Sequence, residues 1–276
     1  MDKEEFEKSV LNGLAVLLPE KRFIAMDINK LGRTYRGIIT EGESGAIADL
    51  DNASEKHLHG EPLEEAITAI ADFLTQPVKT EEYSFLNDWD AVKDKLFIRL
   101  SNAEWNKAAL ENVPHKRLLD LAITYHILID ADLESQSTSI VSHNMLKRWG
   151  IDTSELDEAA MVSAPKLFPA EIAHIRKYVW FPDSNAKMIV ITNEKMVDGA
   201  AAILYPGVLD KLHQMLGDMF ILFPSSIHEL LAVPYKGESA DDLKKMVRMI
   251  NKTRVDEPDR LSDNVYLVRD SWIELM

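Results

Sequence analysis

The sequence predicts an α+β protein, with a mixed N-terminal part and a C-terminal, mostly antiparallel sheet covered by helices. Three observations predict it. Apolar residues recur at helical spacing in several separate segments, and strand-like runs lie close enough in sequence to pair as hairpins. The segment Gly199 to Pro234, GAAAILYPGVLDKLHQMLGDMFILFPSSIHELLAVP, reads as strand, helix, strand, turn and strand, with every boundary marked.

Phe6, Val10, Leu11, Leu14 and Leu18 predict an amphipathic helix over residues 3 to 18, ending near Pro19. Phe23 to Asn29 and Arg33 to Thr40 flank Lys30-Leu31-Gly32, a link short enough for an antiparallel hairpin. Residues 41 to 61 carry Gly, Ser, Asp and Asn and read as a polar loop. Pro62 suits the first turn of a helix with Leu63, Ala66, Ile67, Ile70 and Phe73 on its apolar face, closed by Gln76-Pro77.

Leu96 to Leu100 reads as a strand and Ala103 to Leu110 as a short helix. Leu118 to Ile129 reads as a longer strand in which Ile123, Tyr125, Ile127 and Ile129 share one face. Residues 131 to 138, ADLESQST, have only Leu133 as a large apolar side chain and mark a soft boundary between parts 1–130 and 139–276, which can also form one continuous unit.

Beyond it, Gly150 fits the end of a helix around Met145 to Trp149, and Ser154 with Asp157 forms a capping-box pattern, before Pro165 and Pro169 interrupt. Met188 to Thr192 and Ala200 to Leu204 read as strands, Val208 to Leu216 as a helix stopped by Gly217, and Met219 to Phe223 with Leu230 to Val233 as a tight strand pair. Ser239 and Asp242 cap a helix expected to bury Leu243, Met246, Val247 and Ile250, and Val265 to Val268 supplies a final strand.

Composition bounds the function. With 276 residues, the chain suits one large domain or two small ones. Its 46 Asp and Glu against 31 Lys and Arg give a net charge of −15, which repels phosphate backbones and anionic lipid over most of the surface. No nucleic acid and no membrane are therefore expected as partners. The lack of cysteine excludes disulfides, thiolate catalysis and Cys-type metal sites, and fits a reducing cytoplasm. MDKEEFEKSV has no basic n-region or apolar h-region, so no secretion signal is read there.

The one polar interruption in the apolar C-terminal segment is Pro224-Ser225-Ser226-Ile227-His228-Glu229. A hydroxyl needs an imidazole within hydrogen-bond reach to become a nucleophile, so Ser226, His228 and Glu229 are the catalytic candidates, with Asp263 as a more distant acid. Ser225, Ser226 and His228 are the ligand-binding candidates. No G-x-S-x-G elbow is present, and hydroxyls in a Pro-Ser-Ser turn commonly cap backbone groups.

No metal or cofactor is expected. His57-x-His59 is the only close histidine pair, and His228-Glu229 begins an H-E-x-x-H pattern that Ala232 ends. Asp49-x-Asp51 resembles a calcium loop, but Ala53, Ser54 and Gly60 occupy the places of a ligand, the turn glycine and the bidentate acid. Neither G-x-x-x-x-G-K-[ST] nor G-x-G-x-x-G occurs. Lys244, Arg248 and Lys252 form a basic stripe that reads first as a solvated face and second as a site for an acidic partner or a phosphate. Trp89, Trp105, Trp149, Trp180 and Trp272 are scattered and read as core or interface anchors, and Tyr178, Trp180 and Phe181 as a buried aromatic cluster.

The wording of several segments resembles a bacterial family designated only as a domain of unknown function, met chiefly in anaerobic, gut-associated Gram-positive bacteria. The segments are WGIDTSELDEAA with APKLFPAEI, MIVITNEKMVDGAAAILYPGVLDKL, FPSSIHELLAVP, MVRMINKT and LSDNVYLV, with TYRGIIT, GEPLEEAI and PHKRLLDLAI in the first half. That family carries no activity, cofactor or catalytic residue to transfer. The expectation is a cytoplasmic, non-enzymatic binding or regulatory protein with a protein or small-molecule partner. The alternative is a small hydrolase or transferase using the Ser/His pair.

Overall fold

In the computed structural model, which describes residues 1–42, 46–76, 83–131, 136–180, 187–270 and 272–276, the chain divides by its contacts into Met1–Ser84 and Phe85–Met276. Helix α1 (Lys3–Leu17) starts where the Asp2 carboxylate accepts the Glu5 N–H at 2.9 Å. It buries Phe6, Val10 and Leu14, a row four residues apart. Strands β1 (Phe23–Lys30) and β2 (Arg33–Thr40) form the expected hairpin, with Lys30 opposite Arg33 and Gly32 at a φ of 78°. Strand β3 (Ala48–Asp49) adds to the other edge of β2.

The polar loop expected over 41–61 is corrected, because helix α2 occupies Leu50–Leu58. Its signal is a cap rather than a stripe. Asp49 accepts the Asn52 N–H at 2.9 Å, while only Leu50 and Ser54 are buried. Helix α3 (Leu63–Thr75) has Pro62 at the cap position, before the first turn. Its buried face is Ala66, Ile67, Ile70, Ala71 and Leu74; Phe73, expected there, is exposed. A Cβ on Gly13 of α1 would lie 2.6 Å from Ile67 Cδ1, so glycine permits the close approach of α1 and α3. Pro77, expected to close this helix, lies outside the described residues.

In residues 85–276, the short helix α4 (Trp89–Val92) precedes β4 (Leu96–Asn102), α5 (Lys107–Leu110), β5 (His115–Leu118), β6 (Leu121–Ala131) and β7 (Gln136–Ile140). The strands form a four-stranded antiparallel sheet, with β4 along one edge of β6 and β5 and β7 in succession along the other. The expected strand from Leu118 starts at Leu121, since Leu118 ends β5 across a tight turn with Leu119 at a φ of 58°. Ile123, Tyr125 and Ile127 are buried as expected, but a bulge between Leu128 and Asp130 breaks the alternation before Ile129. The segment 131–138 takes in the last residue of β6 and the first three of β7, which pair with each other, and residues 132–135 are outside those described.

Helix α6 (His143–Trp149) closes at Gly150, whose φ is 72°. Helix α7 (Thr153–Leu167) carries a capping box, but of Asp152 with Glu155 rather than Ser154 with Asp157. Asp157 instead accepts the Tyr125 hydroxyl at 2.8 Å and pairs with Lys116 at 2.6 Å. Pro165 lies inside α7 rather than ending it.

Strands β8 (Ala170–His174), β9 (Ile189–Asn193), β10 (Met219–Phe223), β11 (Leu230–Pro234), β12 (Tyr266–Arg269) and β13 (Trp272–Leu275) build an antiparallel sheet in the order β13-β12-β10-β11-β9-β8. Residues Gly199–Leu204, expected as a strand, form a 3-10 segment. An all-apolar run carries no period to tell the two apart. Here the run is buried, from Ala200 to Ile203, in the core that joins the two sheets.

Helices α8 (Val208–Leu216) and α9 (Ala240–Arg254) cover opposite faces of this sheet. Phe220 and Leu222 of β10 share a core with Leu212 and Leu216, while Ile221 packs with Val247 and Leu243. The expected buried face of α9 is rotated. Val247 and Asn251 are buried, whereas Met246 and Ile250 are each 39% exposed. Asn251 takes the inward place because its amide donates to Ser262 O at 2.9 Å and to Asp263 Oδ1 at 2.8 Å. Ser239 precedes α9 but makes no side-chain cap.

Of the tryptophans, Trp89 and Trp149 pack together at 5.6 Å, whereas Trp105, Trp180 and Trp272 are exposed rather than core anchors, and the burial expected of the aromatic cluster at Trp180 is corrected. Trp180 follows the short turn that leaves edge strand β8, beyond the reach of the sheet's core, and Phe181 lies outside the described residues.

Candidate functional site

Between β10 and β11, Pro224 to Glu229 form a turn held by its own groups. Ser226 N–H donates to Glu229 O at 3.2 Å, and Ile227 N–H donates to Asp259 O at 2.9 Å. Ser226, nearly buried, accepts the His228 backbone N–H on its hydroxyl oxygen at 3.0 Å. Ser225 Oγ donates to Glu229 Oε1 at 2.8 Å. The hydroxyl paired with an acid is thus that of Ser225, and Ser226 serves the backbone.

His228 is engaged at both ring nitrogens. Nδ1 accepts the Asp198 N–H at 3.1 Å, which places the proton of the neutral ring on Nε2. Nε2 lies 3.4 Å from Asp259 Oδ1. Of the two acids offered to orient the ring, Glu229 accepts from Ser225 and Asp263 accepts from Asn251.

Asp198 links this turn to the four-stranded sheet. Its φ of 55° places it in the left-handed region, one residue before the buried 3-10 segment. Its carboxylate lies 2.7 Å from Arg99 Nε on β4 and is almost buried. This contact is an ion pair rather than an aligned hydrogen bond, since Arg99 Nε has no acceptor in hydrogen-bond geometry. Burial raises the Asp198 carboxyl above its ordinary range, opposed by the charges of Arg99 and His228. A Cβ on Gly199 would come within 2.3 Å of Thr192 Oγ1 and 2.6 Å of His228 O, so only glycine fits between β9 and the turn.

Behind Arg99, one face of β4 and β6 carries further polar groups. Phe97, Arg99 and Ser101 stand opposite His126, Thr124 and Ala122 in the strand register. Thr124 Oγ1 and His126 Nε2 are 3.0 Å apart, and burial followed by the Arg99 charge holds the His126 imidazole well below its usual range, hence neutral. Ser101 Oγ is buried, with no hydrogen-bond partner among the described residues.

The structure therefore brings His228 together with Asp198, Asp259 and Arg99, none of which the sequence reading singled out. The available signal was local: Arg99 and Ser101 interrupt an apolar strand at alternate positions, as Thr124 and His126 do on its partner. Asp198 and Asp259 carry no such mark.

Among the described residues, no group of three or more His, Asp or Glu is placed to hold a metal ion. His57 bonds Glu61 O at 2.7 Å and stacks on Phe6, while His59 bonds Glu55 O at 2.8 Å, so the two rings serve separate carbonyls. Asp49 caps α2, and Asp51 pairs with Lys3 at 2.8 Å and accepts the Arg36 N–H at 2.8 Å. No helix among the described residues is long and apolar enough to cross a membrane.

No curated protein and no solved structure matches this chain. The model of a family of unknown function, DUF5688, matches residues 3–269, and the chain belongs to that family.

Proposed function

We propose that this member of a family of unknown function is a cytoplasmic, non-enzymatic binding or regulatory protein, whose contact surface includes the turn around His228. The observation that carries the reading is that the imidazole and the serine hydroxyls have other neighbours: Nδ1 accepts the Asp198 N–H, Nε2 lies 3.4 Å from Asp259 Oδ1, and Ser225 donates to Glu229. A general base needs a free nitrogen within reach of the proton it removes, and the Ser226 hydroxyl oxygen meets a backbone N–H instead. The partly exposed ring of His228, with the Asp259 carboxylate beside it, is suited to contacting a ligand, while Ser225 and Ser226 fix the turn that presents it. The absence of cysteine supports the placement in a reducing compartment.

A second reading rests on the Ser225–Glu229 bond, in which a carboxylate accepts from a hydroxyl as it would in a hydrolase or transferase. Treatment of the purified protein with a fluorophosphonate probe separates the two. The binding reading expects no labelling at Ser225 or Ser226. Labelling abolished by Ser225→Ala or by Ser226→Ala overturns it in favour of an enzyme.

A further inference from the structure

Helix α9 carries two rows of side chains that the fold does not use. Its inward row is Leu243 and Val247, set against Ile221 of β10 and Val265 just before β12, and Asn251, bonded to Ser262 and Asp263. On one flank of the remaining surface lie Lys244, Arg248 and Lys252, four residues apart and therefore aligned. On the other flank lie Met246 and Ile250, each 39% exposed, and between the flanks Met249 is 61% exposed.

Among the described residues, neither row has a partner. The chain has 46 acidic side chains, yet among the described residues none reaches ion-pair distance of Lys244, Arg248 or Lys252, and Lys245 has only Asp242 at 3.6 Å. An exposed methionine pair is a soft, adaptable apolar surface of the kind that accommodates a partner side chain. The pattern, cations beside an apolar strip along one helix, is complementary to an amphipathic helix with carboxylates beside its own apolar strip.

We propose that the outer face of α9 docks an acidic amphipathic helix from a partner protein. Carboxylates of the partner face Lys244, Arg248 and Lys252, and its apolar side chains cover Met246, Met249 and Ile250. The charge of the whole chain favours this occupant over an anionic membrane or a nucleic acid, because a net −15 opposes approach to either extended polyanion. A single acidic helix meets the local cations, and the carboxylates of α9, Asp241 and Asp242, are confined to its first turn. The strip is also too narrow for deep insertion into lipid, since Asp242 and Thr253 share it with the two methionines and Ile250.

The surface shares no residue with the Ser225–Glu229 turn, so its test is separate from the probe labelling. A fluorescein-labelled synthetic helix with Glu along one face and Leu and Phe along the other is titrated with the full chain and followed by anisotropy. Saturable binding is expected, weakened about tenfold or more by Arg248→Glu combined with Lys252→Glu and also weakened by Met249→Ser. All three positions are exposed, and melting curves verify that the variants are folded. Binding is expected to weaken with added salt and to be lost for the same helix with Gln in place of Glu. The proposal is overturned by absence of saturable binding, by equal affinity of the variants or of the Gln helix, or by capture of the protein on phosphatidylglycerol vesicles with no response to the peptide.

Discussion

The Asp198 backbone N–H donates to His228 Nδ1 at 3.1 Å, tying the left-handed residue before the buried 3-10 segment to the turn between β10 and β11. The bond fixes the ring's tautomer, because a nitrogen that accepts cannot carry the proton. Nitrogen NMR of the labelled protein is expected to show the neutral form of the His228 ring with its proton on Nε2. His228→Asn keeps an acceptor close to the place of Nδ1, whereas His228→Gln does not. The Gln variant is expected to lose about 1–2 kcal/mol of unfolding free energy and the Asn variant less. Equal losses would show that the contact holds little of the turn together.

Asp120, in the turn between β5 and β6, gathers three donors from the segment before and within β12. Its carboxylate accepts from Ser262 Oγ at 2.6 Å, Asn264 Nδ2 at 2.9 Å and Tyr266 Oη at 2.9 Å. A carboxylate has lone pairs for all three, while an amide presents an N–H₂ where one donor already points. Asp120→Asn is expected to cost roughly 2–3 kcal/mol in denaturant unfolding. Asp120→Asn combined with Tyr266→Phe should cost less than the two changes added, because they share one network.

Much of this fold is legible in the sequence, and the parts that are not have identifiable reasons. Helices α1 and α8 and the β10–β11 pair are marked by regular apolar spacing bounded by Pro or Gly. Helix α2 is not, since a nine-residue helix with two buried side chains leaves no stripe and is marked only by its Asp49 cap. Strand β5, HKRL, has three exposed side chains and one half-buried one, so its only signal is pairing with β6. Apolarity alone points Ile250 inward on α9, and Asn251 displaces it from the interior through hydrogen bonds that no periodicity reveals. The turn at His228 was visible as a polar break, but its partners at positions 99, 198 and 259 are brought to it by tertiary pairing alone.

Three buried tyrosines predict an alkaline limit to stability. Burial pushes Tyr205 up to about 12, and burial together with Asp157 or Asp120 raises Tyr125 and Tyr266 further. In the unfolded chain a tyrosine ionises near pH 10. The stability these groups contribute is therefore fully present below pH 10 and is lost as the pH rises through their folded values. Each group adds up to about 1.4 kcal/mol per pH unit to the decline. Tyr205→Phe is expected to unfold like the parent at pH 7 and to show a shallower loss above pH 10, read from denaturant midpoints. An unchanged slope would show that Tyr205 does not take part.

In residues 1–84 the corresponding limit is acidic. Arg36 Nε and Nη2 donate to the two carboxylate oxygens of Glu7 at 2.8 Å and 3.0 Å, holding the Glu7 carboxyl below its usual range. A lowered carboxyl contributes stability that is present above the unfolded value near 4.3 and is lost as the pH falls through the folded one. Solvent at the half-exposed pair limits the contribution to about 1 kcal/mol. Glu7→Gln is expected to lower stability by that amount at pH 7 and to match the parent near pH 2, and a gap that persists in acid would assign the loss to packing.

The positions of the cores predict which fragments fold. Among the described residues, the first core draws on residues between Phe6 and Leu74, and the larger one on residues from Phe85 onward. Within the larger core, Leu96, Ile98, Leu100, Ile123, Tyr125 and Ile127 from β4 and β6 pack in one cluster with Leu156, Ile191, Leu212 and Phe220 from later elements. A fragment of residues 85–276 keeps that cluster intact, whereas residues 139–276 lose β4, β5 and β6 and leave those later side chains uncovered. The longer fragment is expected to unfold cooperatively in denaturant with a native near-ultraviolet spectrum. The shorter one is expected to lose both signatures, as a chain that cannot bury its apolar face does. Cooperative unfolding of residues 139–276 would instead place the independent domain after the β6–β7 connection.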